Sequence, residues 1–456
     1  MSKTNLFERE RSPYYKAISE HIGGALGRNT AEAVADLYSL FDEDVIIWLS
    51  RLYDGKTGAF YYSPSARDNE FVEFKGRRVS LGVDVESTCQ ALGFVARAIR
   101  AGDNIPPKDI YPDRIYRRVV DFIKSIQHEN GFFYHPQWDK EWIDSQTNRR
   151  ARDLHWCSTF LRAVGERPNF DTPDGLRGEW RSSAPCEAAK PESKAELPEH
   201  LIDKEHFVKY LSGFDMKSTS YHSGNEITTQ TGIILERDRI LRAEGKDYSL
   251  MDILCDWMSE TLNPETGHWE SEDSYYGVSG FLKAGSMYSD ARRIMPYPEA
   301  SARSAIRAVL SDEPVKSITN IYNTWYAISM ILGNLRLFGG DNGKIRAEAL
   351  IAEIIEKAPD MIEKTKEKLS VFSKPGCSFS YLPDCSSPTS QDMPVAIRGA
   401  REGDINATGI AVNGTRDRML RSMGLDRFTP PLFTAVEKNI FVDLLDARCK
   451  EKNNES

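Results

Sequence analysis

The sequence predicts an all-α protein of about six helical hairpins arranged in two concentric rings. Three observations carry that expectation. One pattern recurs along the 456 residues: a helix, a Gly-punctuated turn ending on an aromatic residue, a polar loop, and a second helix. The second helices open on polar residues at Asp84, Asp153, Glu226, Asp273, Asn320 and Asp404 and are otherwise rich in Gly, Ala, Ser, Leu and Ile. A helix apolar nearly all round is a buried one, so these form an inner ring and the charged first helices an outer one. Finally, Asp84-Val85-Glu86-Ser87-Thr88 returns near the other end as Asp404-Ile405-Asn406-Ala407-Thr408, with Asp and Thr identical, a candidate internal repeat.

Taken in order, residues 1–29 read as an N-terminal segment and 30–456 as a single domain. The first helix is expected over 30–52, capped by Asn29, with Ala33, Leu37, Leu40, Phe41, Ile46 and Leu49 on its apolar face. After the turn at 53–60 comes its partner over 81–100, where Asp84 caps and Leu92, Val95 and Ile99 keep helical spacing. The second unit pairs 114–127 with a helix from about Asp153, and the third runs from Asp203 to a second helix opening at Asn225 and Glu226. The fourth pairs 249–262 with 273–289, the fifth 299–310 with 317–338, and the sixth 344–371 with 404–423. A last apolar helix, 432–445, is expected to pack back over the ring. Two stretches break the rhythm. Residues 166–199, rich in Pro, Glu, Ser and Ala, read as an insertion that is either disordered or a lid. Residues 373–401 read as a functional loop, because they deliver their end to the helix mouth at Asp404.

A net charge of −9 gives no basic field for nucleic acid. No apolar run approaches the roughly 18 to 20 residues of a membrane span, and MSKTNLFERERS lacks the apolar core of a secretory signal. The expectation is a cytoplasmic protein with neither membrane nor nucleic-acid partner. The seven cysteines are odd in number and lack CxxC spacing, so they read as free thiols, with no structural metal and no cofactor.

The run from Phe122 through Gln127 to Gly131-Phe132-Phe133 resembles the Gln…Gly-x-Phe/Trp repeat of the terpenoid cyclase and protein prenyltransferase toroids. It recurs at Gly58-Ala59-Phe60 and Gly267-His268-Trp269, with Asp54 and Asn263 in place of the Gln. The resemblance covers the hairpin rhythm over most of the chain. It implies an (α/α)6 toroid with a cavity at one end, an architecture shared by six-hairpin glycosidases. The Asp84 segment is also similar to the acid motif of class II terpene cyclases, which implies Glu86 as a proton donor. The stretch from Asp273 to Gly280 resembles prenyltransferase β subunits, but Tyr276 stands where they place a zinc-ligating His, so no zinc is expected.

If the second-helix N-termini face one cavity, Asp84, Glu86, Glu226, Asp273 and Asp404 are its candidate catalytic carboxylates. Arg152, His155, Trp156, His222, Asn225, Tyr275, Tyr276, Tyr322, Trp325 and Asn406 are the candidate binding groups, with Asp153, Asn323 and Glu402 alongside. So many hydrogen-bonding groups beside a few rings suit a sugar better than a hydrocarbon. Paired carboxylates suit glycoside hydrolysis, with one acid kept protonated and the other ionised. The expected function is therefore an enzyme acting on a glycosidic or other oligosaccharide-type substrate. The alternatives are an isoprenoid cyclase protonating through Glu86 and a non-catalytic glycan-binding toroid. Against all three stands a purely structural role, in which Asp84 and Asp404 cap helices for about 1 kcal/mol each and Glu86 answers a helix dipole.

Overall fold

Helical periodicity translates into helices over most of the chain in the computed structural model, which describes residues 3–42, 44–99, 107–175, 196–270 and 272–453. The fold is mostly helical, and among the described residues the strands make only four two-stranded ribbons. Two helices, α1 (Lys3–Ile22) and α2 (Gly24–Tyr38), open the chain and pack on each other, followed by the short α3 (Val45–Ser50). The expected 30–52 helix is thus broken near residues 39–44, and the stretch before residue 30 is itself helical.

The next helices are α4 (Val85–Ile99), α5 (Asp113–Ser125), α6 (Thr147–Val164), α7 (Lys204–Leu211), α8 (Met216–Thr229), α9 (Thr231–Ala243), α10 (Leu250–Glu260) and α11 (Tyr275–Asp290). The last part of the chain adds α12 (Pro298–Leu310), α13 (Ile318–Phe338), α14 (Gly340–Glu356), α15 (Ala358–Ser370), α16 (Ile405–Gly409), a π-helical segment (Ile410–Thr415), α17 (Arg416–Ser422) and α18 (Ala435–Asn453). Neighbouring contacts run from α4 to α6, α8, α11 and α13, then to the π segment and α17, and α16 returns to α4. Behind these lie α5 against α6, α10 against α11, α12 against α13, and α15 between α2 and α12. The C-terminal α18 packs on α3 and α4, and its Phe441 stacks on Phe60 with centroids 6.5 Å apart. No helix among the described residues is long and apolar enough to cross a membrane.

The turns repeat at the level of single hydrogen bonds. Asp54 N–H donates to Ala59 O and Gly58 N–H to Asp54 O, both at 2.8 Å; Asn263 to His268 and Gly267 to Asn263 repeat the pair, both at 2.8 Å. The middle turn is one residue shorter, with His128 N–H on Phe132 O at 2.9 Å and Gly131 N–H on His128 O at 3.0 Å. His128 therefore takes the place of Asp54 and Asn263. Gln127 lies one position earlier, and its side chain clasps the Phe170 backbone at 3.0 and 3.1 Å. The glycines have φ of 77°, 89° and 71°, and a Cβ on Gly58 would lie 2.4 Å from Arg118 Cβ of α5. Each turn thus needs glycine both for its backbone and for the close approach of a neighbour.

The repeat at Asp84 and Asp404 is equally literal. Thr88 Oγ1 donates to Asp84 O at 2.7 Å and accepts Phe60 N–H at 2.9 Å. Thr408 Oγ1 donates to Asp404 O at 2.8 Å and accepts Phe379 N–H at 3.0 Å. Each Asp caps its helix, on Ser87 N–H and Ala407 N–H respectively, both at 2.8 Å.

Three expected helix starts are corrected. The α6 helix begins at Thr147, so Asp153 lies inside it as an ion-pair partner; α8 begins under the cap of Asp215, so Asn225 and Glu226 fall near its end. The α11 helix is capped by Ser274, whose hydroxyl accepts Gly277 N–H at 3.0 Å, and not by Asp273. In each case a polar residue serving packing or a cavity mimicked a cap. The expected 344–371 helix divides at Lys357, with Pro359 in the first turn of α15, and the last helix runs to Asn453. Within the 166–199 insertion, residues 176–195 lie outside the described residues, as does Cys186.

Candidate functional site

Wall helices facing one another leave an inner chamber of about 400 Å³ and an adjoining outer mouth of about 420 Å³. Both fall in the range of small-molecule sites, roughly 300 to 1,000 Å³. They share Tyr221, Asn225, Tyr381, Gln391 and Asn406, so they are two parts of one cavity. Of the expected binding residues, Arg152, Trp156, Asn225, Tyr322 and Asn406 line the chamber and His222 lines the mouth; of the expected catalytic carboxylates, Glu226 lines the mouth. Tyr276 stays outside the lining, its ring 6.2 Å from that of Tyr221. His155 is exposed beside Trp156.

Others point away from the cavity altogether. Tyr275 is buried, with its hydroxyl accepting from Lys368 of α15. Trp325 donates its indole N–H to Thr365 at 2.9 Å, also on α15. Asp273 pairs with Arg307 at 2.5 Å, and that hydrogen bond holds its carboxyl below the usual range. A helix N-terminus near a cavity does not turn every residue of its first turn inward, because successive side chains are about 100° apart.

Glu86 lies directly behind the chamber wall, 3% exposed. Arg152 grips it with two hydrogen bonds, Nε to Oε2 at 2.8 Å and Nη2 to Oε1 at 2.5 Å; Gln90 adds one at 3.0 Å and Ser390 one at 3.2 Å. Burial opposes ionisation of Glu86, but the Arg152 guanidinium outweighs it and holds the carboxyl below its usual range. Gln90 Nε2 also reaches Asn406 Oδ1 at 3.1 Å, tying α4 to α16.

Asp84 is committed elsewhere. It sits with His135 and Asp153 in a buried cluster whose donor atoms lie within 4.8 Å of one another, the spacing of a metal site. Arg149 Nη2 lies 2.5 Å from Asp84 Oδ1, 2.8 Å from Asp153 Oδ1 and 3.3 Å from His135 Nε2. The guanidinium thus stands where an ion would bind and supplies the positive charge. Burial again works against both aspartates, and Arg149 again lowers them despite it.

Asp404 differs from both. It is 0% exposed and makes no ion pair among the described residues; it accepts N–H groups of Ala407 and Tyr381, each at 2.8 Å, and the Tyr62 hydroxyl. Burial prevails over those bonds and pushes its carboxyl up to about 7. Tyr62, itself buried, lines the mouth.

Sequence reasoning missed several lining residues. Cys89, Gln90, Arg97, Tyr221, Lys283, Tyr326 and Asn413 project from the bodies of wall helices, one or more turns beyond the N-termini. A polar residue recurring on an otherwise apolar helix face would have been their signal. The 373–401 loop contributes Tyr381, Ser387, Thr389, Ser390, Gln391 and Asp392. The last four form the tip of a ribbon, Thr389–Ser390 with Met393–Pro394, whose two turn residues Gln391 and Asp392 have φ of 50° and 63°. Gln391 Oε1 accepts Asn225 Nδ2 at 2.8 Å and the side-chain amide of Asn148. Its tip is thereby fastened to α6 and α8 across the cavity. Buried polar atoms without a partner among the described residues also surround the space: Gln90 Oε1, Trp156 Nε1, Asn413 Oδ1 and Asn148 Oδ1. Such atoms mark where a bound molecule or water completes the hydrogen bonding. No family model, curated protein or solved structure matches this chain.

Proposed function

We propose that the chain is an (α/α)6 toroid and an enzyme acting, in this cavity, on a glycosidic or other oligosaccharide-type substrate by carboxylate acid/base chemistry. The carrying observation is the contrast between Glu86, ionised under Arg152, and Asp404, raised to about 7, on adjacent helices. Environments that drive two carboxyls apart let one site hold an acid and a base at a single pH. Tyr62 extends Asp404 to the mouth: when Asp404 is protonated its O–H donates to the Tyr62 oxygen and the Tyr62 O–H turns to donate to a substrate oxygen, which hands the proton on. The amides of Gln90, Asn225, Asn406 and Asn413 suit sugar hydroxyls, and the rings of Trp156, Tyr322 and Tyr326 suit sugar faces. Two features weigh against the isoprenoid cyclase: Glu86 has no proton to give, and a carbocation beside Arg97, Arg152 and Lys283 would be repelled.

Thermal shift with a glycan panel tests binding. A ligand at about 100 times its Kd adds roughly 2.7 kcal/mol, a clear rise in Tm. A shift with a prenyl diphosphate beyond that given by inorganic diphosphate, with none from any glycan, would reverse the ranking. For catalysis, Glu86→Gln and Asp404→Asn should each lower turnover by about 10² or more. A wild-type protein that binds glycans and turns none over would be the non-catalytic toroid.

A further inference from the structure

Among the described residues, Lys283 is the cation of the chamber lining that has no ion pair of its own. It projects from α11 into the inner chamber, where its ammonium faces the Tyr221 ring, with Nζ 5.9 Å from the centroid. Its backbone carbonyl accepts from the Thr228 and Ser286 hydroxyls, but its ammonium makes no hydrogen bond or ion pair among the described residues, so three N–H donors are left unfilled. The carboxylate behind this wall, Glu86, has both oxygens engaged by Arg152. Burial first, and also the like charge of Arg152, push the Lys283 ammonium below the usual lysine range. A partly buried ammonium beside a guanidinium is unfavourable until an anion joins them.

The rest of the lining points the same way. In a chain of net charge −9, the inner chamber carries Arg97, Arg152 and Lys283 and no Asp or Glu among its described lining residues. The acids that balance the two arginines, Asp417 and Glu86, lie outside the lining. Gln90 Oε1 and Asn413 Oδ1, which have no partner among the described residues, are acceptors and call for hydroxyl donors, which sulfate lacks and a sugar has.

Building on the oligosaccharide reading, we infer that the substrate is an acidic oligosaccharide, whose carboxylate or sulfate group binds Lys283 beside Arg152 while its hydroxyls meet the chamber amides. The shared chemistry is an anionic substituent on a hydroxyl-rich ring, and the probes separate its sources.

The test is calorimetric titration of the full chain, as wild type, Lys283→Met and Lys283→Arg. The probes are oligogalacturonides, sulfated oligosaccharides, neutral gluco-oligosaccharides of the same length, inorganic sulfate and inorganic phosphate. Acidic glycans should bind the wild type at least about tenfold more tightly than neutral ones, with an affinity that falls as salt rises. Lys283→Met should erase that preference without weakening neutral glycans, and Lys283→Arg should keep most of it. Lys283→Gln takes the place of Lys283→Met if the latter does not fold. Equal affinity for acidic and neutral glycans, or a preference that survives in Lys283→Met, overturns the inference and leaves the oligosaccharide reading standing. Lys283-dependent binding of sulfate or phosphate with no glycan binding keeps the anion site and overturns the oligosaccharide reading. Binding of none of these probes overturns both.

Discussion

Asp404 makes stability depend on pH in a direction opposite to the arginine-paired Asp84, Glu86 and Asp153. Its folded value, about 7, lies above the ordinary 3.8, so the native state binds the proton more tightly than the unfolded chain does. The stabilisation is complete below about 4 and is lost as pH rises through about 7. Asp404→Asn, which keeps a capping oxygen, should remove that loss, and its stability relative to wild type should increase between pH 4 and 8 in urea titrations. Arg149 gives the contrasting case. Arg149→Met leaves Asp84 and Asp153 buried without their cation and should destabilise by about 3 to 5 kcal/mol, read from the urea midpoint. Neither behaviour was legible in the sequence. Asp84 and Asp404 share a motif and the same Thr hydrogen bonds, yet one faces Arg149 and the other backbone N–H groups. That difference arises from residues 65 positions away from Asp84, which no local pattern reveals.

At the scale of elements, turns were more readable than helix starts. The Gly-x-aromatic signature reflects a hydrogen-bond pattern set within six residues, so it survived into the structure at all three positions. Gly58→Ala should cost about 1 to 2 kcal/mol from its left-handed backbone alone, and more from the clash with Arg118, measurable as a lowered Tm. Helix starts were misplaced wherever a polar residue served the cavity or an ion pair, as Glu226 and Asp153 do. The ribbon tip at Gln391 and Asp392 left no sequence signal, since hairpin turns of this geometry usually carry Asn or Gly. Asp392→Gly should relieve its backbone and raise stability by up to about 1 kcal/mol. Gln391→Ala, which detaches the tip from Asn148 and Asn225, should change substrate KM more than the folding midpoint.

At the scale of the molecule, the mostly helical class followed from periodicity. What periodicity could not supply was which face of each wall helix turns inward, and so Lys283, Gln90 and Tyr221 went unnoticed while Tyr275 and Trp325 were expected inside. The contact between α4 and α16 has a kinetic side. Gln90 and Asn406 meet across 316 positions of chain, so the cavity is one of the last things folding can complete, and closing so long a loop is entropically slow. We predict that a ligand held between those two helices meets no assembled site in the folding transition state. It should therefore leave the folding rate nearly unchanged and act on unfolding, lengthening the lifetime of the closed chain by the factor 1 + [L]/Kd.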